Sequence, residues 1–91
     1  MRRPIIAANW KMHMTLGEGT ELAKGIVEGS RDMDDVDIVL APPFTALSTV
    51  RKEIHKTPIA LGAQNLYWEE KGAFTGEVSA AMLKDVGCDY A

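Results

Sequence analysis

The chain has 91 residues, which is enough for one small domain. Apolar residues make up 46% of it and charged residues 25%, as in ordinary soluble globular proteins. The net charge of −3 gives no basis for binding nucleic acid or an anionic membrane surface, and no apolar run approaches the roughly 20 residues of a membrane span. Cys88 is the only cysteine, so we expect no internal disulfide and a cytoplasmic location. The apolar run that follows Pro4 is too short for a signal peptide.

The first predicted elements are a strand over residues 5–9 and a helix over about residues 15–29. Thr15 and Glu18 have the spacing of a capping box, which predicts the start of the helix at Thr15. Gly29 is a suitable place for it to end. The residues that recur at helical spacing, and so form its predicted apolar face, are Leu22, Ala23, Ile26 and Val27.

The middle of the chain repeats this alternation. A strand is predicted over residues 36–41 and is ended by Pro42-Pro43, because proline supplies no donor to a sheet ladder. A helix over about residues 44–56 follows, with Thr45 or a neighbour as its cap, and then a strand over about residues 59–63. The predicted apolar face of this helix consists of Leu47, Val50 and Ile54.

Residues 64–77, called loop 3 here, have no regular periodicity. A loop of this length in a compact domain is usually functional or disordered. Loop 3 contains Tyr67, Trp68 and Phe74, and such aromatic content argues against disorder.

The last predicted elements are a helix over about residues 79–86 and the start of a fourth strand at residues 88–91. Ser79 can cap the helix and Gly87 can end it. Its predicted apolar face consists of Met82, Leu83 and Val86. Strands and helices thus alternate throughout residues 1–91, which predicts a single α/β domain with a parallel sheet and right-handed crossovers.

Polar side chains follow the predicted strands at their carboxyl ends, where parallel α/β proteins place their sites. Asn9 and Lys11 are two residues apart at the end of the first strand, so strand alternation would project them from one face. Gln64 and Asn65 follow the third strand. A lysine there offers a positive charge to an anionic substrate, and an asparagine offers both a donor and an acceptor. The alternative interpretation is a strand end with a solvated lysine.

Other candidates have simpler structural explanations. His13 is interpreted as part of an exposed loop, and His55 as a residue that suits a helix C-terminus. Cys88 is interpreted as a small core residue. Glu69 and Glu70 are interpreted as a solvated loop tip. The sequence shows no metal-ligand spacing and no glycine signature for phosphate binding.

Several motifs resemble triosephosphate isomerase, in the order and spacing of that family. They are Asn9-Trp10-Lys11-Met12, Pro42-Pro43, Gly62-Ala63-Gln64-Asn65, Gly72-Ala73-Phe74-Thr75-Gly76-Glu77 and Lys84-Asp85-Val86-Gly87. The resemblance implies that the chain is a parallel βαβαβα segment of a (β/α)8 TIM barrel. The implied activity is interconversion of dihydroxyacetone phosphate and D-glyceraldehyde 3-phosphate through an enediolate, without a metal or cofactor.

The resemblance also implies roles for individual residues. Lys11 would bind the substrate and stabilise the enediolate, and Asn9 would shape the same pocket. Loop 3 would dock into the partner subunit of a homodimer, where Thr75 would support the partner's site. The implied dimer-interface residues are Met12, Gln64, Asn65, Phe74, Thr75, Gly76 and Glu77.

The chain is short for such a barrel, which takes about 250 residues. The resemblance implies that the electrophilic His and the catalytic Glu of the family lie beyond Ala91, so we expect the 91-residue chain to be inactive alone. We also expect Ile38, Leu40 and Leu61 to face the inside of the barrel. Two alternatives remain: a stand-alone binding module of flavodoxin-like form, and an interaction fragment that binds full-length subunits through loop 3.

Overall fold

The computed structural model describes residues 2–91 and has one parallel three-stranded sheet. The elements are β1 (Ile5–Asn9), α1 (Leu16–Gly29), β2 (Asp37–Ala41), a 3-10 turn (Phe44–Ala46), α2 (Leu47–Ile54), β3 (Ala60–Leu61) and α3 (Ala80–Val86). The sheet order is β1-β2-β3, with Ile5 opposite Asp37 and Asn9 opposite Ala41. The predicted α/β class and parallel sheet are confirmed.

The boundaries of the helices differ from the predictions at their caps. Thr15 is the N-cap of α1 rather than its first residue, and its N–H donates to Glu18 Oε1 at 2.9 Å. Ser79 is the N-cap of α3, where its Oγ accepts from Met82 N at 3.3 Å. The predicted helix over 44–56 is a 3-10 turn and then α2, with no side-chain cap. It ends at Ile54 because His55 leaves the helical conformation, with ψ of 134°, and Lys56 follows with φ of 69°.

The third strand is shorter than predicted, and the fourth is an isolated bridge between Gly62 and Tyr90. Leu61 N donates to the Asp89 carboxylate at 3.0 Å instead of to a backbone carbonyl. A side chain thus takes the place of one ladder acceptor, which interrupts regular strand pairing.

One face of the sheet is covered by helices and holds the core. Leu40 and Leu61 are fully buried there, together with Val50 and Ile54 of α2, so the predicted face of α2 is confirmed. Leu40 and Leu61 therefore pack against the helices, and the expectation that they face a barrel interior is wrong. Ile38 shares their face, because it lies two residues before Leu40 and is packed against the same cluster.

The apolar faces of α1 and α3 differ from the predicted ones. Ala23 is buried as predicted, but Leu22 is 36% exposed and Gly19 is buried instead. A Cβ at Gly19 would lie 3.3 Å from the ring of Trp10, so the absent side chain admits that buried indole. On α3, Leu83 is buried, whereas Met82 is 56% exposed.

The opposite face of the sheet carries Ile5, Ala7 and Asn9, all exposed, and no helix of residues 2–91 covers it. No helix in this part of the chain combines the length and apolar character needed to cross a membrane. The loops that follow the carboxyl ends of the strands meet at one edge of the sheet.

Candidate active site

The connection after β1 turns sharply at the residues that the sequence singled out. Trp10 N donates to Ala41 O at 3.1 Å and continues the pairing of β1 with β2. Asn9 Oδ1 then accepts from Lys11 N at 2.8 Å. Lys11 has φ of 56°, in the left-handed region, so strand alternation stops at Asn9. The prediction that Asn9 and Lys11 project together as strand neighbours is therefore wrong, and the Asn9 side chain instead shapes the backbone of Lys11.

Gln64 ties this turn to the rest of the sheet. Its Nε2 donates to Lys11 O at 2.9 Å and to Ala41 O at 2.8 Å. The N–H and the C=O of Lys11 are thus both bonded by amide side chains, one from Asn9 and one from Gln64. A non-glycine residue in the left-handed region persists where its surroundings hold it, and such residues cluster at functional sites.

The sequence places Gln64 at the carboxyl end of the third strand and the resemblance assigns it to an interface, but neither predicts its bond to Lys11. The available signal was position, because Gln64 follows the third strand and Lys11 follows the first. Parallel strands bring such residues to one edge. Position alone does not show which side-chain atom reaches which backbone group.

Lys11 lies in an open cleft of about 200 Å3 with Met12, Pro43, Phe44 and Gln64, and Asn65 completes the lining. The ammonium has no carboxylate partner, since the two ion pairs within residues 2–91 are Arg3–Asp37 and Arg31–Glu28. Lys11 is exposed and its positive charge is available to an anion. At about 4 Å and an effective dielectric near 20, such a contact is worth on the order of 4 kcal/mol before desolvation.

Loop 3 has backbone hydrogen bonds and an aromatic cluster of its own. Tyr67 N donates to Val78 O at 2.8 Å, and Glu77 N donates to Phe74 O at 3.0 Å. The rings of Tyr67 and Phe74 lie 4.5 Å apart between centroids. Gly72 makes that packing possible, because a Cβ there would lie 2.7 Å from the Phe74 ring.

The residues assigned to an interface by resemblance are exposed in the chain by itself. Met12 is 93% exposed and Phe74 is 42% exposed. The remaining members of that set are also exposed, namely Gln64, Asn65, Thr75, Gly76 and Glu77.

The carboxylates of the chain lie elsewhere. Glu69, Glu70 and Glu77 line a separate cleft on loop 3. Glu18 belongs to the cap of α1, where hydrogen bonds from the Thr15 backbone and then its side chain lower the pKa of the carboxyl. No carboxylate among residues 2–91 lines the Lys11 cleft.

The histidines and the cysteine also lie outside the Lys11 cleft. His13 is exposed and His55 is the C-cap of α2. Burial, and secondarily the charge of Asp89, raises the pKa of the half-buried Cys88 thiol. Over residues 2–91, the His, Cys, Asp and Glu side chains form no group that could hold a metal ion.

Comparisons with known proteins agree with the geometry. A sequence profile described as triosephosphate isomerase matches residues 4–91. Triosephosphate isomerase of Roseiflexus sp. (strain RS-1) is 53% identical over 90 residues, which are 99% of this chain and 35% of the relative. The enzyme of Dictyoglomus turgidum is 51% identical over 99% of this chain and 36% of its own.

A crystal structure of triosephosphate isomerase from Bartonella henselae superposes with a TM-score of 0.87 at 36% identity, covering 96% of this chain and 35% of that one. The chain therefore spans about a third of the length of the relatives it matches, and its open sheet corresponds to part of their TIM barrel. Because the family profile matches nearly all of the sequence, the chain belongs to the triosephosphate isomerase family.

Proposed function

We propose that this chain supplies the substrate-binding lysine of a triosephosphate isomerase. The reaction interconverts dihydroxyacetone phosphate and D-glyceraldehyde 3-phosphate through an enediolate. The observation that carries the proposal is the held position of Lys11, whose left-handed backbone is bonded on both sides by Asn9 and Gln64. Family membership supplies the reaction, and the Lys11 cleft supplies a charge that suits its substrate.

The proposed role of Lys11 follows from the charges of the reaction. The substrate carries a phosphate, and the enediolate develops further negative charge on oxygen. A fixed ammonium stabilises both, and it assists catalysis when its contact with the developing oxyanion is stronger than its contact with the ground state. Asn9 is proposed to position Lys11 by accepting from its backbone N–H.

Moving a proton between adjacent carbons also needs a base and an electrophile. The carboxylates of residues 2–91 lie outside the Lys11 cleft, and neither histidine lines it. We therefore propose that the 91-residue chain is inactive alone, and that the base and the electrophile come from protein outside it. The proposed reaction uses no metal and no cofactor, and its proposed location is the cytoplasm.

We further propose that loop 3 forms a homodimer interface. Support comes from the exposed apolar side chains of Met12 and Phe74 and from the aromatic cluster that gives the loop a defined shape. Thr75 is the proposed contact to the partner's active site. A fixed loop loses little conformational entropy on docking, which favours such an assembly.

A chimera tests the proposed activity. All 91 residues are joined to the part of the Roseiflexus relative that they do not match, and turnover is followed in a coupled assay. We expect isomerase activity from the chimera and none above the uncatalysed rate from the chain alone. Activity of the chain alone that Lys11→Ala abolished would contradict the assignment of the missing groups.

Lys11→Ala in the chimera tests the role of the charge. Loss of roughly 3–4 kcal/mol of transition-state stabilisation would lower kcat/KM by a factor of several hundred. The fold should survive, because Lys11 is exposed. Lys24→Ala, which removes an exposed lysine of α1, is the matched control and should leave kcat/KM unchanged. Near-normal kcat/KM in Lys11→Ala would show that Lys11 is a surface residue without a role in catalysis.

A further inference from the structure

A second cleft lies at the opposite edge of the sheet from Lys11. It occupies about 310 Å3 between the C-terminal end of α1 and the connection from α2 to β3. Val27, Pro58 and Ile59 provide apolar surface there, and Arg31 and Lys56 provide basic groups. Ile59 immediately precedes β3, so this cleft lies at the amino ends of the strands.

The lining of this cleft differs in charge from the acidic chain as a whole. The sequence has 13 acidic and 10 basic side chains, yet no acidic residue among those that the structure describes lines this cleft. Arg31 uses one guanidinium nitrogen to bind Glu28 at 2.7 Å, which leaves its other donors available. The Lys56 ammonium pairs with no carboxylate of residues 2–91.

Cations at these positions also suit the carbonyl ends of α1 and α2. Those carbonyls already have hydrogen-bond partners. Ile26 O accepts from Ser30 N at 3.0 Å. Ile54 O accepts from Thr57 N at 3.0 Å and from the Thr57 hydroxyl at 2.6 Å. These carbonyl oxygens therefore accept from other groups and not from the side chains of Arg31 and Lys56.

The backbone of Lys56 provides an independent argument. Lys56 directly follows the C-cap His55 and has φ of 69°. With His55 extended and Thr57 N bonded to Ile54 O, Lys56 is the third residue of a turn that usually has glycine or asparagine there, because a Cβ is disfavoured in the left-handed region. A lysine thus occupies a strained backbone position that lines the cleft, and strained residues cluster at binding sites.

We propose that this cleft binds a phosphate monoester that carries a small apolar group. Arg31 can bind two phosphate oxygens at once, and Lys56 adds a compact point charge. The surface formed by Val27, Pro58 and Ile59 matches the apolar group of the ester. The site shares no residue with the Lys11 cleft and does not depend on the proposed isomerase activity.

The test uses phenyl phosphate and inorganic phosphate as probes. They are titrated into the isotope-labelled chimera with Lys11→Ala, so that the Lys11 cleft does not contribute, and the amide NMR signals are followed. We expect saturable shifts at the amides of Ser30, Arg31, Lys56 and Ile59, with phenyl phosphate binding more tightly than inorganic phosphate.

Lys56→Gly removes the charge at a position where glycine favours the backbone, so unfolding cannot explain a loss of binding. We expect binding of phenyl phosphate to weaken about tenfold in Lys56→Gly and in Arg31→Gln, as for the loss of one charged contact. Lys24→Ala is the control and should bind normally. Absence of shifts at the cleft, or equal affinity in Lys56→Gly and its parent, would overturn the site. Equal affinities for the two probes would overturn the role of the apolar surface.

Discussion

Replacing Gln64 by methionine tests whether this amide holds Lys11 in place. Methionine has a similar length but no N–H donors, so the change removes the bonds to Lys11 O at 2.9 Å and to Ala41 O at 2.8 Å. Ala41 O keeps its bond from Trp10 N at 3.1 Å. The loss therefore falls mainly on Lys11, whose carbonyl is left to water.

The size of the effect follows from those two bonds. A hydrogen bond contributes a net of about 0.5–1.5 kcal/mol, and water replaces part of this at the exposed Gln64, so we expect a loss of about 1–2 kcal/mol. The left-handed backbone of Lys11 is itself about 1–2 kcal/mol above the right-handed one. The two free energies are comparable, so Lys11 should leave its position for part of the time. At tenfold per about 1.4 kcal/mol, kcat/KM should fall roughly five- to thirtyfold.

The assay compares the chimera with its Gln64→Met variant by coupled kinetics and thermal melting. Asn65→Ala is the matched control, because Asn65 lines the same cleft without a side-chain hydrogen bond to any other residue in 2–91. Both proteins are measured at concentrations where sedimentation shows the same assembly state. Unchanged kcat/KM in Gln64→Met, with the same melting temperature, would show that Gln64 does not hold Lys11 in place.

Three further predictions concern assembly, pH and backbone. Thr75→Arg places an unpaired charge in the proposed interface, so sedimentation should show monomers of the chimera; a stable, fully active dimer would exclude this. Hydrogen bonds from the backbone and side chain of the N-cap residue lower the pKa of Glu18 below its ordinary 4.5. Their stabilisation is present above that value and is lost as pH falls through the lowered pKa, so Glu18→Gln should flatten the acid limb of melting temperature against pH. Gly87→Ala should destabilise the chimera by about 1–2 kcal/mol in urea melts, because Gly87 has φ of 102° and a Cβ would lie 2.5 Å from Arg51 Nε. Gly25→Ala, with nothing within 4 Å of the added Cβ, is its control and should not destabilise.

Much of the fold could be predicted because each element buries its own apolar stripe. The face of α2 is the clearest case, since Leu47, Val50 and Ile54 recur at helical spacing and are all buried. The prediction for α1 was less accurate, because Gly19 is buried in the core and Leu22 is partly exposed. Glycine has no hydrophobic signal, and only the approach of the Trp10 ring shows why it lies there.

Residue order alone was enough to predict the alternation of strands and helices, the position of Asn9, Lys11 and Gln64 at the ends of strands, and the resemblance to triosephosphate isomerase. All three depend on periodicity and motif spacing, which are properties of the order of residues along the chain.

How the Lys11 backbone is held and which side of the sheet Leu40 faces depend on contacts between distant parts of the chain. Gln64 reaches Lys11 across 53 positions and Ala41 across 23. Alternate residues of a strand face opposite sides, but β2 has Val39 and Ala41 on one side and Ile38 and Leu40 on the other, so the pattern does not show which side meets the helices. Contacts of this kind depend on how separate elements meet in space, and local sequence carries no record of that.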